Sequence, residues 1–412
     1  MNKLLKTLLA FIVILGFILP TVTPTTEAKE LWGKVEIKKG LIGKVVILKD
    51  TSLFYKDSKG KLTKGKTIKK NSELGVFSYD KKALLYKVEK GYIKKNSAVK
   101  YSVLPKDYNH SISKIGFVTD NSGIDDKSFN QLTWEGLHLF SKKNEAKVKY
   151  IQPESYREYE MNLLKLTKEG YGLIFGTGFH LAEPINQVAS KNKNTKYAIV
   201  DDVVNQPNVA SILFKENESA FLAGVVAGLK TKTNKVGFIG GLDVPLVNKY
   251  EVGFVAGVKA VNPKVETEIK YVGDFNKPEI GMLLASQMYS SNTDIIYQVA
   301  GGSGLGVFAE ARQRMKKDPN KQVWVIGVDR DHSEHGLDIT LTSSIKRMDS
   351  AAYDIASRAK KGNFPGGKTI VYGIAENGVD VVKTNLDSET IKRVEEFKKK
   401  VASGKIKVPT ER

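Results

Sequence analysis

The amino-acid sequence predicts an α/β protein of two similar parallel-sheet lobes, preceded by a small all-β domain. Three observations carry this. From Ser113 onward, strand-like and helix-like segments alternate, as they do where helices flank a parallel sheet. At Lys235-Val-Gly-Phe-Ile-Gly-Gly241 the alternation begins a second round, which predicts a second lobe and a ligand cleft between the two. Residues 32–104 instead hold short runs rich in β-formers, parted by turn formers. A chain of 412 residues suits two or three domains of this kind.

Residues 1–28 read as a signal peptide. Lys3 and Lys6 precede an apolar run from Leu8 to Leu19, and Thr26-Glu-Ala28 offers a cut after Ala28. The run is shorter than the roughly 20 residues of a membrane span, so the chain is expected to be exported. An uncleaved anchor stays open as the alternative, because Leu4 and Leu5 extend the run. With no cysteine there is no disulfide, no thiolate chemistry and no lipidated cysteine, so no lipid anchor is expected.

The next segment, residues 29–104, is expected to be the all-β domain. Gly43–Leu48, Thr51–Tyr55, Glu73–Tyr79, Leu84–Val88 and Gly91–Lys94 are its strand candidates, enough for a small barrel. Residues 29–106 carry 21 lysines against seven acidic residues, most of the chain's net charge of +20. That asymmetry suggests an electrostatic partner for this segment alone, an anionic cell-wall polymer or the membrane surface. Nucleic acid fits less well, because no arginine is present there to fork onto bases. With Val88-Glu-Lys-Gly-Tyr-Ile93 among its last strands, the segment resembles the bacterial Src-homology-3-like wall-associated domain. Residues 105–112 form the polar linker.

The two-lobed part is organised around Lys114–Gln131. Ile115–Val118 reads as a buried strand, followed by Asp120, a turn at Gly123, the pair Asp125 and Asp126, and a helix from Phe129. Loops at the carboxyl ends of parallel strands are where such sheets bind ligands. The run Thr119-Asp-Asn-Ser-Gly-Ile-Asp-Asp-Lys-Ser-Phe-Asn-Gln131 closely resembles the opening signature of the basic membrane protein family of bacterial substrate-binding proteins. Asn208–Glu218 and Ala220–Gly224 match that family densely. Asn121 and Ser122 depart from its usual small pair.

The resemblance covers residues 113–402 and implies a type I periplasmic-binding fold that captures a purine nucleoside for an ABC importer. By analogy the first lobe takes residues 113–232 and 340–365, and the second 233–339 and 366–402, with hinge crossings near 231–235, 335–342 and 363–370. The family pattern places Asp120, Asp126, Phe129 and Asn130 around the base, with Asp201 ending a later strand. Phe254 would be a second ring facing Phe129. Gly302, in Gln298–Gly306, would bring backbone amides close to the ligand, while Asp329 and Lys346 would face the sugar. The chemistry agrees: rings stack flat bases, carboxylates accept N–H and hydroxyl protons, and asparagine does both. The carboxylates of Glu216 and Glu218 read as helix-capping and surface groups.

No enzyme is expected. His110, His138, His180, His332 and His335 are scattered without metal-ligand or nucleophile-base spacing, so neither a metal nor a cofactor is implied. The alternatives carried forward are the same scaffold binding a sugar or signalling metabolite, and a wall-bound sensor or adhesin with a vestigial cleft.

Overall fold

A computed structural model describes residues 31–36, 38, 40–104 and 112–412. The expected signal peptide and nearly all of the expected linker lie outside the described residues. No helix among those described is long and apolar enough to cross a membrane. The chain divides into two units, 1–109 and 110–412.

The first unit is all β. A ribbon of β1 (Leu31–Trp32) and β2 (Val35–Glu36) precedes β3 (Gly43–Ile47), β4 (Thr51–Lys56), β5 (Leu62–Ile68), β6 (Glu73–Asp80), β7 (Leu85–Val88), β8 (Gly91–Lys94) and β9 (Val99–Val103). These seven strands form one antiparallel sheet in the order β5-β4-β8-β7-β6-β3-β9. Alternation puts Val45, Ile47, Leu53, Val76, Val88 and Ile93 into one core. Strand β5 escaped the sequence pattern because Leu-Thr-Lys-Gly-Lys-Thr-Ile presents lysines where apolar residues would signal a strand.

The second unit is an α/β pair of lobes. Its elements run β10 (Lys114–Val118), α1 (Phe129–Asn144), β11 (Lys147–Ile151), α2 (Tyr159–Lys168), β12 (Leu173–Thr177), α3 (Ala182–Lys191), β13 (Lys196–Val200), β14 (Val209–Phe214) and α4 (Glu216–Lys230). They continue as β15 (Lys235–Gly240), α5 (Pro245–Val261), β16 (Glu266–Tyr271), α6 (Pro278–Ser290), β17 (Ile295–Val299), α7 (Leu305–Lys317) and β18 (Trp324–Gly327). The last are β19 (Thr340–Lys346), α8 (Met348–Lys360), β20 (Lys368–Tyr372), β21 (Val379–Val381) and α9 (Ser388–Ala402).

The first lobe is built on the parallel sheet β11-β10-β12-β13-β14-β20. The second is built on β16-β15-β17-β18-β19-β21, parallel except for β21. Strands buried on both faces explain the continuous apolar runs, such as Ile115–Val118.

The hinge crossings differ from those expected by analogy. The chain changes lobes between Phe214 and Glu216, between Lys346 and Met348, and between Tyr372 and Val379. Strand β19 pairs with β18 in the second lobe, and β20 pairs with β14 in the first. Helix α4 belongs with the second lobe because its backbone lies directly on α5. A Cβ on Gly257 would stand 1.9 Å from the Phe221 carbonyl oxygen, and one on Gly224 would stand 2.1 Å from that of Phe254. Helical periodicity announced α4 as a helix but could not say which lobe it covers.

Candidate functional site

The loops at the carboxyl ends of the strands meet in one cavity between the lobes. It holds about 720 Å³ of atom-free space, its open mouth included. From the first lobe come Asp120, Asp126, Phe129, Phe179 and Asp201; from the second come Tyr250, Phe275, Gly302, Asp329 and Lys346. Its lining is apolar with a few convergent polar groups, the usual make-up of a small-molecule site.

One wall is an acid pair held by the start of α1. Asp126 accepts hydrogen bonds from the backbone N–H of Asn130 at 2.7 Å, Ser128 at 2.9 Å and Gln131 at 3.2 Å, so it caps this helix. Asp120 accepts from the Ser122 N–H at 2.8 Å. Asn130 Nδ2 donates to both carboxylates, at 2.8 Å to Asp120 and 3.0 Å to Asp126, while Thr177 Oγ1 donates to its Oδ1 at 2.6 Å. Burial pushes the Asp126 carboxyl up to about 6 against these N–H donors, and raises Asp120 as well. Asn130 was expected at the ligand. It is fully buried and positions the two acids instead.

The opposite wall is a network of buried charge. Lys346, 3% exposed, places Nζ 2.5 Å from Asp201 Oδ2 and 3.1 Å from Glu216 Oε1. The same ammonium lies 5.4 Å from the Phe129 ring centroid. Burial works against its charge, but Asp201, Glu216 and Asp329 outweigh that and hold Lys346 above the ordinary lysine value. Burial raises the pKa of all three carboxyls, with the ammonium pulling the other way. Two lysines face these three acids, Lys346 and the more distant Lys249, whose Nζ is 3.9 Å from Glu216 Oε2, and burial still leaves the carboxyls raised. Glu216 was read as a capping or surface group. It is 1% exposed and is tied to Lys346.

Asp329 bridges the lobes: Ser128 Oγ donates to its Oδ2 at 2.7 Å, and the Tyr250 hydroxyl to its Oδ1 at 3.3 Å. Asp201 and Asp329 follow the corresponding strands β13 and β18, each with a left-handed φ, +70° and +68°. Strain of this kind in a non-glycine residue collects at functional sites.

The second ring expected across the cleft is not Phe254. That side chain is fully buried against Phe238 and Tyr297 in the second-lobe core. Its neighbour one turn earlier, Tyr250, lines the cavity, because helix α5 turns its positions 250 and 254 toward different depths of the same face. A second ring lining the cavity from this side is Phe275, in the loop after β16. Its carbonyl accepts from the Ser303 N–H at 2.9 Å, and Gly241 makes room for its ring, which a Cβ there would meet at 2.3 Å. Phe275 and Phe179 were missed because the loop holding the first and the single 3-10 turn opening at the second are too short or irregular to show periodicity. The available signal was their place just past a strand, where this fold binds ligands. Gly302 lines the cavity beside Gly301. Among the described residues, no group of three or more histidine or acidic side chains could hold a metal ion.

Comparison with known proteins agrees with this architecture. Residues 112–412 match the family model Bmp, described as ABC transporter substrate-binding protein PnrA-like. The CD4+ T-cell-stimulating antigen of Listeria monocytogenes is 46% identical over 312 residues, 72% of this chain and 87% of that protein. The ABC transporter nucleoside-binding protein BmpA of Lactococcus lactis subsp. cremoris is 41% identical over 312 residues, 72% of this chain and 89% of that protein. Among solved structures, an ABC transporter solute-binding protein from Aeropyrum pernix aligns with a TM-score of 0.66 at 25% identity, covering 72% of this chain and 93% of the other. A two-lobed fold, a cavity between the lobes and a family match across both lobes lead to one conclusion: the chain belongs to the Bmp family of PnrA-like substrate-binding proteins of ABC transporters.

Proposed function

We propose that the cleft captures a purine nucleoside outside the cytoplasm and presents it to an ABC importer, with no chemical conversion. The observation that carries this is the division of the cavity wall. Rings from both lobes, Phe129 and Phe179 on one side and Phe275 on the other, flank a space that buried carboxylates also face. A flat base between the rings gains stacking worth about 1–3 kcal/mol. Its N–H edge meets Asp120 and Asp126, and the ribose hydroxyls meet Asp329, Lys346 and the open backbone at Gly302. Asp201 Oδ1 is a further acceptor, buried and without a hydrogen-bond partner among the described residues. The BmpA relative, named for nucleoside binding, supports this ligand class. The basic all-β unit serves as the retention element at the cell envelope in the absence of a lipidated cysteine.

Calorimetric titration of the full chain with guanosine, inosine, adenosine, ribose and galactose tests the reading. Saturable binding of one or more nucleosides, with neither free sugar competing, is expected. Binding of a sugar in preference to every nucleoside would overturn it.

A further inference from the structure

We propose that the outer face of β5, β4, β8 and β7 is a docking strip for a linear polyanion, a polymer of phosphodiester-linked polyols or sugars. This rests on the retention role proposed for the basic unit and names the surface that performs it. The strand register sets Lys64, Phe54, Tyr92 and Lys87 side by side in one row across the four strands. Directly paired residues point to the same side of a sheet. The alternate residues Leu53, Val88 and Ile93 fill the core, so the row faces outward.

Two more lysines join it one pleat along. Lys94 Nζ lies 4.7 Å from the centroid of the Phe54 ring, and Lys56 Nζ 6.0 Å from that of Tyr92. The four lysines are exposed and the two rings half-buried. Among the described residues none of these lysines has a carboxylate at ion-pairing distance, whereas Lys38, Lys44 and Lys69 each do. Asp80, at the margin of the face, accepts from the N–H groups of Lys82 and Ala83 and feels Lys56 only through a longer-range attraction.

Four ammonium groups spread over roughly 14 Å repel one another unless an anion bridges them, taking three strand spacings across the sheet. The rings hold two of them, those of Lys56 and Lys94, in place by cation–π attraction. Their faces are thereby occupied, which disfavours base stacking, and residues 29–106 contain no arginine to read a base edge. Half-buried rings also make poor wedges for a bilayer, where anchors insert an apolar face. A flexible chain of repeating phosphates matches what remains: a straight, preorganised cationic row.

The test measures binding of the full chain to immobilised poly(glycerol phosphate) at near-physiological salt. A variant carrying Lys56→Gln, Lys64→Gln, Lys87→Gln and Lys94→Gln is compared with a control carrying Lys61→Gln, Lys70→Gln, Lys81→Gln and Lys100→Gln. Both lose the same charge, and unchanged thermal unfolding checks both folds. The row variant should bind at least about tenfold more weakly, because each lost contact removes its counterion release, and the control should stay within about threefold. Equal losses in the two variants would overturn the strip while leaving retention by net charge. Preference of the parent for phosphatidylglycerol vesicles or single-stranded DNA would overturn the choice of partner. Parent protein that binds none of the three would overturn the retention reading as well.

Discussion

At the scale of single residues, Lys346 is the centre of the buried charge network. Its ammonium is shared by Asp201 and Glu216, all three nearly inaccessible to water. Removing one partner of a buried charge network leaves the others uncompensated. Lys346→Met is therefore expected to destabilise the two-lobed unit by roughly 3–5 kcal/mol in urea unfolding. A loss below about 1 kcal/mol would show that the carboxyls are neutral without it. The acids also predict a pH dependence. Asp126, raised from 3.8 to about 6, binds its proton more tightly folded than unfolded. Its contribution is complete below pH 3.8 and lost as the pH rises through about 6, a change of roughly 3 kcal/mol at most. Asp120, Asp201, Glu216 and Asp329 shift in the same direction. The empty protein should thus lose stability between pH 4 and 7, while a ligand offering N–H donors to ionised Asp126 should bind more tightly over that range. Thermal unfolding and titration at pH 4.5, 5.5 and 6.5 check both; opposite slopes would contradict the assignment.

These residues were unequally readable in the sequence. Asp120 and Asp329 lie just past strands, and Asp126 and Phe129 lie at the approach to a helix, places that a change of period marks; their role at the ligand came from the family resemblance. Glu216 was misread because an acid at a helix start looks the same in sequence whether solvent or a buried lysine faces it. Phe254 was placed at the cleft by the family resemblance; it shares a helix face with Tyr250, and only packing decides which of the two reaches the cleft and which fills the core.

At the scale of elements, backbone-to-backbone contacts set the lobes. Helices α4 and α5 touch through Gly224 and Gly257, with no space for a methyl group. Gly257→Val is expected to force them apart and cost several kcal/mol, as overpacking a close contact does. Gly241→Val acts on the site instead, since its side chain would collide with the Phe275 ring. It should weaken ligand binding by roughly tenfold or more while changing the unfolding midpoint little, if the ring stacks on a base worth about 1–3 kcal/mol. Equal affinity in this variant would show that Phe275 is not a contact. Strand and helix identities were readable because period 2 and period 3.6 differ over even short runs. The lobe crossings were not, because they depend on which neighbour α4, β19 and β20 choose, and pairing leaves no local mark.

At the scale of the whole two-lobed unit, capture is expected to couple to closure. The Ser128–Asp329 hydrogen bond joins the lobes directly beside the cavity, and rings from both lobes face the same space. A ligand that touches both walls shifts the equilibrium toward the closed form by its differential contacts. Ser128→Ala should then lower affinity only a few-fold, as expected for loss of one hydrogen bond of about 1 kcal/mol. The most direct measurement is the affinity of the parent, Phe129→Ala, Phe275→Ala and Phe254→Leu for inosine by calorimetry. The account predicts that each of the two cavity-ring variants binds at least about tenfold more weakly, with Phe254→Leu within about threefold of the parent. Undiminished binding in both ring variants, or a loss confined to Phe254→Leu, would contradict a base held between Phe129 and Phe275.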